Sequence, residues 1–270
     1  AELVWQPQAL RTAATDRFNP DGSPRQIGSF DTTSRFNVNG FASGAIVEDR
    51  LFFFAIYEAR DLSTRTTTNT ANRIGLGGSG DGFWGAKFDW QVNDRNLVEL
   101  LLFSDQNSTT TRDLAFNLAT GTQGAFLDQR FSDTGGDNES LTWTGYLTDT
   151  FTAKLMVGGN ERQARSIAQS AIDCSRIRDR RTGQGGRDLG CTAAGSQFAR
   201  VDERDAARAD FEWSLGDHQL RFGLDREVNT SNHRQFYPGT DRLLYEIFTT
   251  RPGAIVNGAT IPAGVTAYVR

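Results

Sequence analysis

The chain has 270 residues, 37% hydrophobic and 11% aromatic, with 19 Phe against 5 Tyr and 5 Trp. That aromatic content argues against a disordered chain, and the length allows one large β domain or two ordinary ones. The 29 Lys and Arg nearly balance 33 Asp and Glu, so the net charge of -4 gives a nucleic-acid groove no global electrostatic support. No apolar run reaches the ~18 residues of a transmembrane helix, but a membrane strand needs only about ten and shows every second one to lipid. No secretory leader opens the chain, so Ala1 reads as a mature start or the edge of a cut.

Residues 1–35 are polar and carry Pro7, Pro20 and Pro24 around NPDGSPR, which predicts an irregular lead-in or an external loop. A β-hairpin is predicted over about 36–60. Phe36, Val38, Gly40, Ala42, Gly44 and Ile46 share one face of its first arm; Leu51, Phe53, Ala55 and Tyr57 share one face of the second. Period two marks strands, and the short VEDR connection marks their pairing. Residues 60–82, rich in Thr, Asn and Gly, read as a loop.

A second hairpin follows over about 83–105. Trp84, Ala86, Phe88 and Trp90 form an apolar row against Gly85, Lys87, Asp89 and Gln91, and VNDR makes the turn. The return arm from Leu97 to Phe103 is apolar on both faces. That fits a strand buried in a soluble core, or a barrel strand with something packed inside. Residues 107–140 read as another excursion with a short strand or helical turn inside it. In the third hairpin, about 141–160, Leu141, Trp143, Gly145 and Leu147 alternate with Thr142, Thr144, Tyr146 and Thr148 before Phe151, Ala153, Leu155 and Val157 resume the apolar face. Residues 161–205 form the longest polar stretch, a length that normally needs a purpose. The fourth hairpin, about 207–229, sets Ala209, Phe211, Trp213 and Leu215 against Leu220, Phe222 and Leu224 around Gly216 and Asp217. Its polar face carries charges of both signs, which suits a water-filled interior and a solvent-facing sheet equally. Further signals are a strand within 242–250 and a strand start after the turn in VNGATIPAG.

Cys174 and Cys191, the only cysteines, flank an Arg- and Gly-rich stretch. A disulfide there would clamp a long loop in an oxidising compartment; two unrelated thiols is the other reading. The arginines could attract an acidic ligand, but Asp173, Asp179 and Asp188 dilute their charge and favour a solubilising external loop.

Short turns near Asp49, Asp94, Asp149 and Asp217 alternate with long polar connections. An antiparallel meander then has short turns at one end and long loops at the other, the asymmetry of transmembrane β-barrels. Such a sheet must close, because unpaired edge groups are intolerable in hydrocarbon. Strands of roughly nine residues are long enough when tilted. A soluble β-sandwich also alternates but need not segregate its loops. The expected fold is all-β, an antiparallel meander forming part of a transmembrane outer-membrane β-barrel over 36–270. Trp84, Trp90, Trp143 and Trp213 are expected on its lipid-facing surface or interfacial belt, with a soluble inter-sheet core as the alternative.

The stretch SRFNVNGFASGAIVEDRLFFFAIYEARD resembles the early barrel hairpin of TonB-dependent outer-membrane receptors, especially the Oar-like group with a carboxypeptidase-regulatory-like N-terminal domain. Phe52, Phe53, Phe54, Tyr57 and Glu58 carry the match, as motif and barrel wall. Ser43, Gly44 and Ala45 stand where that group has Gly-Gly-Pro. ADFEWSLGDHQLRFGLDRE and the cysteine-bounded loop fit the same likeness more diffusely. The resemblance implies a barrel of about 22 strands around a plug domain, of which this chain would be an internal fragment beginning after the plug. It further implies uptake of an unidentified solute across the Gram-negative outer membrane. The partners implied are outer-membrane lipid, the rest of the barrel and plug, and an inner-membrane energy-coupling complex reached through an N-terminal region outside this chain.

No catalytic constellation is expected. His218 and His233 are separated by a strand and form no compact set with cysteines and carboxylates, so zinc is not predicted. Asp210, Glu212, Asp225 and Glu227 could face one another across the fourth hairpin; a hydrated face balanced by Arg208, Arg221 and Arg226 is the plainer reading. GLGGSGDG lacks the Lys-Ser/Thr ending and following helix of a phosphate loop. The chain is therefore read as no enzyme, with no cofactor and no nucleic-acid partner. A soluble or surface-displayed β-rich binding module, or a complete small porin-like barrel, is the alternative.

Overall fold

A computed structural model describes residues 2–12, 14–22, 24–68, 72–181, 187–189, 191–192 and 194–269. The fold is all-β and its main sheet is antiparallel. In chain order the strands are β1 (Glu2–Gln6), β2 (Arg17–Phe18), β3 (Pro24–Gln26), β4 (Thr32–Val47), β5 (Leu51–Thr68), β6 (Arg73–Ser79), β7 (Phe83–Asn93), β8 (Asn96–Ser104), β9 (Asn107–Asn117) and β10 (Thr122–Tyr146). They continue with β11 (Phe151–Ala168), β12 (Arg176–Asp179), β13 (Arg187–Leu189), β14 (Gln197–Leu215), β15 (His218–Phe236), β16 (Leu244–Thr249), β17 (Ile255–Val256), β18 (Ala259–Thr260) and β19 (Ala267–Val269). Among the described residues no helix is long and apolar enough to cross a membrane, which says nothing of strands.

Eleven strands form one sheet along the path β1-β4-β5-β6-β9-β10-β11-β14-β15, with β7 and β8 between β5 and β10. β5 pairs with β7 over Leu51–Glu58 and with β6 over Leu62–Thr68. β10 likewise pairs with β8 and with β9. Pairs β6/β7 and β8/β9 are each one rod interrupted, at 80–82 and 105–106. The pairings β5-β6-β9-β10-β8-β7 therefore return to β5 as a ring around that interruption. At the two ends of the path the sheet is open among the described residues: β1 pairs with β4 and β15 with β14.

The four hairpins run further than the alternation predicts, and two expected loops are strands. Residues 60–68 continue β5 and 73–79 form β6, leaving only 69–72 between them; 107–117 form β9 and 122–140 belong to β10, joined through 118–121. Thr64, Thr66 and Thr68 alternate with Ser63, Arg65 and Thr67, and Thr is a strand former. Polar residues on both faces of 63–68 and of 107–112 hid the period there. The far end consequently keeps long connections only at 7–31 and 169–196. The lead-in is not wholly irregular either, since β1 pairs with Arg35–Asn39 of β4. Residues past β15 leave the meander: β16 runs parallel to β12 in a small sheet of order β13-β12-β16-β19.

The sheet has no comparable second layer; the other sheets among the described residues have four, two and two strands. Accessible surface totals 17611 Å², against roughly 11,600 Å² for a compact monomer of this size. Buried apolar residues are few, and Ile74 (0% exposed) and Phe116 (2%) lie at the far end, under the 7–31 connection. There Phe30 meets Phe116 edge-on at 5.1 Å and Thr67 donates to the Ile27 carbonyl at 2.8 Å.

Candidate functional site

The cross-strand register sorts the main sheet into two unlike faces. Directly opposed residues share a face. Following Leu51↔Trp90↔Val98↔Trp143↔Leu155↔Ala209↔Leu224 crosses seven successive rods on one face without meeting a charge. The row Phe53↔Phe88↔Leu100↔Leu141↔Val157↔Ala207 runs beside it. Phe151, Trp213 and Leu220 form a third row at the short-turn end. Phe151 stacks on Phe211 at 6.1 Å, and Phe211 on Phe222 at 5.3 Å. The band is about seven to nine residues deep, roughly 23–30 Å of strand. Above it the same face turns charged at Asp61, Asp137, Glu139, Glu161 and Asp205.

Aromatic residues bracket this band. Trp90, Trp143 and Trp213 sit toward the short turns, while Tyr57 and Trp84 oppose each other at its upper margin. Little covers it: Tyr57, Trp84, Trp90, Leu141, Leu155, Val157, Trp213, Phe222 and Leu224 are all exposed, Leu224 at 77%. A contiguous exposed apolar surface of this extent marks an interaction face.

The opposite face is polar across the same rods. Lys87 bridges Asp89 at 2.8 Å and Glu99 at 2.9 Å. Arg208 bridges Asp210 at 2.7 Å, and Arg204 bridges Glu227 at 2.7 Å. The fourth hairpin does not set carboxylate against carboxylate: Arg208 opposes Asp225, and Glu212 opposes Arg221. Arg226 opposes Ala207 on the apolar face, so it does not balance the polar row as the sequence suggested. Within this polar face, Phe41, Phe52, Phe54, Ile56, Phe83, Leu101 and Phe103 make an apolar island, with Phe41 and Phe54 stacked at 6.3 Å and Phe83 against Phe103 at 6.2 Å, so β8 is apolar on both faces.

The family-motif residues are thus divided by the pleat. Phe53 and Tyr57 lie on the apolar face; Phe52, Phe54 and Glu58 lie on the polar one. Glu58 accepts from Asn37 at 3.1 Å and pairs with Arg60. The short turns gather at one end, where Gln91 donates to the Arg50 carbonyl at 2.7 Å and Arg95 bridges Asp149 at 2.8 Å.

Cys174 and Cys191 are bonded, with Cα atoms 5.9 Å apart, and belong to the excursion at the far end. Residues 182–186 and 190 of the predicted Arg-rich loop lie outside the described residues. Of its described arginines, Arg176 bridges Asp188 at 2.9 Å and Arg181 bridges Asp179 at 2.7 Å. The excursion is tied to the later segment through Asp241, which accepts from Ser175 Oγ at 2.9 Å and from the Tyr245 hydroxyl. The Tyr245 bond, then the Ser175 bond, hold the Asp241 carboxyl below its ordinary value, and the Asp241 carboxylate raises the Tyr245 phenol. Among the described residues no three His, Cys, Asp or Glu side chains gather as a metal site.

The polar face also holds residues that the sequence did not single out. Arg35, Arg60 and Arg162 converge on one hollow. More than a hundred positions separate Arg60 from Arg162, and no local pattern signals their meeting. Compared with protein-family models, curated proteins and solved structures, the chain matches none.

Proposed function

We propose that the apolar face meets lipid, and that the chain supplies barrel wall and external loops of a TonB-dependent type transporter in a Gram-negative outer membrane. The observation that carries the lipid reading is the register. It collects apolar side chains from seven successive rods into one uncovered band, while the reverse face carries the Lys87, Arg204 and Arg208 ion pairs beside an apolar island. A sheet in water would bury that band under a second layer, and among the described residues this one has no comparable layer. The depth of the band is close to the ~25 Å apolar belt of membrane barrels, and the Trp and Tyr margins correspond to their aromatic girdles. Backbone edges open at β15 and along β4 would be closed by further strands, as hydrocarbon requires.

Solute uptake, the plug and energy coupling rest on the resemblance alone, carried chiefly by the Phe36–Arg60 hairpin. In that reading the rods overhanging the band stand in the external medium, and the disulfide-bound excursion and the 7–31 connection form the outer surface. Brominated-lipid quenching of tryptophan fluorescence in reconstituted protein tests the lipid contact. Strong quenching that falls on replacing Trp90 and Trp213 with Phe is expected. A monomer stable without detergent, with tryptophans shielded from aqueous quenchers, would instead favour a soluble binding module. An upstream plug and further downstream hairpins in the flanking coding sequence would test the transporter assignment.

A further inference from the structure

We propose that the polar face carries a binding site for a small oxyanion group, a carboxylate or a phosphate, at Arg35, Arg60 and Arg162. Arg35, Arg60 and Arg162 line a single hollow of about 440 Å³ together with Asn37, Asn107 and Thr134. The pairings Asn37↔Arg60, Arg35↔Leu62 and Asn107↔Thr134 put these side chains on the polar face. Arg162 joins them from β11, where it opposes Gly136 of β10.

The hollow lies at the interruption in the sheet. Ser79 and Asn107 flank the breaks at 80–82 and 105–106, and Gly135 takes a φ of 88° beside them. The Gly136 N–H donates to Asp105 Oδ1 at 2.8 Å, so the one carboxylate lining the hollow already serves the backbone. Arg60 is taken by Glu58. Arg35 spends its Nε on the neutral amide of Asn37 at 3.1 Å. Arg162 has no ion pair or hydrogen bond among the described residues, and Asp202, which opposes it, is bridged by Arg200 at 3.0 Å. Arg35 and Arg162 therefore line one hollow with neither held in an ion pair among the described residues. Neighbouring like charges disfavour each other, and an anion between them relieves that repulsion. The planar, forked guanidinium matches carboxylate and phosphate oxygens in pairs. Amide and hydroxyl groups of Asn37, Asn107 and Thr134 offer further donors. The site stands on the polar face and does not require the opposite face to meet lipid.

The test uses the folded 270-residue chain with citrate and pyrophosphate as probes. Calorimetric titration reads affinity; phenylglyoxal labelling read by mass spectrometry reports which arginines a probe protects. Protection of Arg35 and Arg162 is expected, with binding weakened about tenfold or more in Arg35→Gln and in Arg162→Gln. Arg204→Gln, on the same face but paired with Glu227, should bind like the parent. Citrate binding alone assigns a carboxylate, pyrophosphate binding alone a phosphate, and both a general oxyanion site. No binding of either probe, or equal affinity in both hollow variants, overturns the proposal. Should a variant lose its sheet by circular dichroism, the labelling pattern of the parent chain decides.

Discussion

Trp143 donates its indole N–H to Asn96 Oδ1 at 3.0 Å, joining β10 to the first residue of β8 at the short-turn end. The indole lies over Gly145, where an added Cβ would stand 2.3 Å from the ring. The ring thus keeps its apolar body in the band and its single donor at the polar margin. Gly145→Ala should push the ring aside and break the bond, at a cost of about 1 kcal/mol, read as a lower denaturation midpoint. Trp143→Phe should match that loss, and the double variant should add little to either.

Leu155 stands within the band, opposite Trp143 and Ala209. If lipid covers this face, Leu155→Arg should destabilise the protein in bilayers by roughly 2–4 kcal/mol. Thr152→Arg, three residues away on the same strand but on the polar face, should change stability by less than about 0.5 kcal/mol. Equal effects from the two substitutions would remove the distinction between the faces.

Gly136 is required by close backbone approach. A Cβ there would lie 1.7 Å from the Glu161 carbonyl oxygen of the paired strand. Backbone cannot yield as a flexible side chain does, so Gly136→Ala should cost about 2 kcal/mol or more. Hydrogen exchange should localise the damage to the ladder around Asp105, Gly136 and Glu161. A variant with unchanged exchange in that region would refute the close approach.

The bond between Cys174 and Cys191 closes a loop with a sequence separation of 17. Loop-closure entropy for that length gives about 3 kcal/mol. The Cys174→Ser/Cys191→Ser chain should lose this from the excursion, read as faster proteolysis between 169 and 196. The hairpins near the short turns should keep their exchange protection, since no backbone pairing links them to the excursion.

Asp241 and Tyr245 set a pH window for the same region. The Asp241 carboxyl is lowered, so its contribution is present above the ordinary carboxylate value of about 3.9 and is lost as pH falls through the lower folded value. The Tyr245 phenol is raised, so its contribution is full below about 10 and is lost as pH rises through the higher folded value. The junction should be most secure between these limits. Absorbance titration should show the Tyr245 phenol returning toward its ordinary value in Asp241→Asn; an unmoved titration would break the assignment.

From the sequence alone came the strand character, the four short turns and the apolar rows, because period two and turn residues act over a few positions. Trp84 to Trp90 and Phe211 to Trp213 declared their faces without any neighbour. What local pattern could not reveal was the polar upper half of the sheet, where Thr64 to Thr68 and Asn107 to Arg112 carry polar residues on both faces and show no apolar alternation. Nor could it join Leu51 to Leu224 into one band, or bring Arg162 to Arg35 and Arg60. Those relationships depend on register and on a break that runs through two rods. Cross-strand hydrogen bonds set both between residues far apart in the chain, so only the assembled sheet decides them.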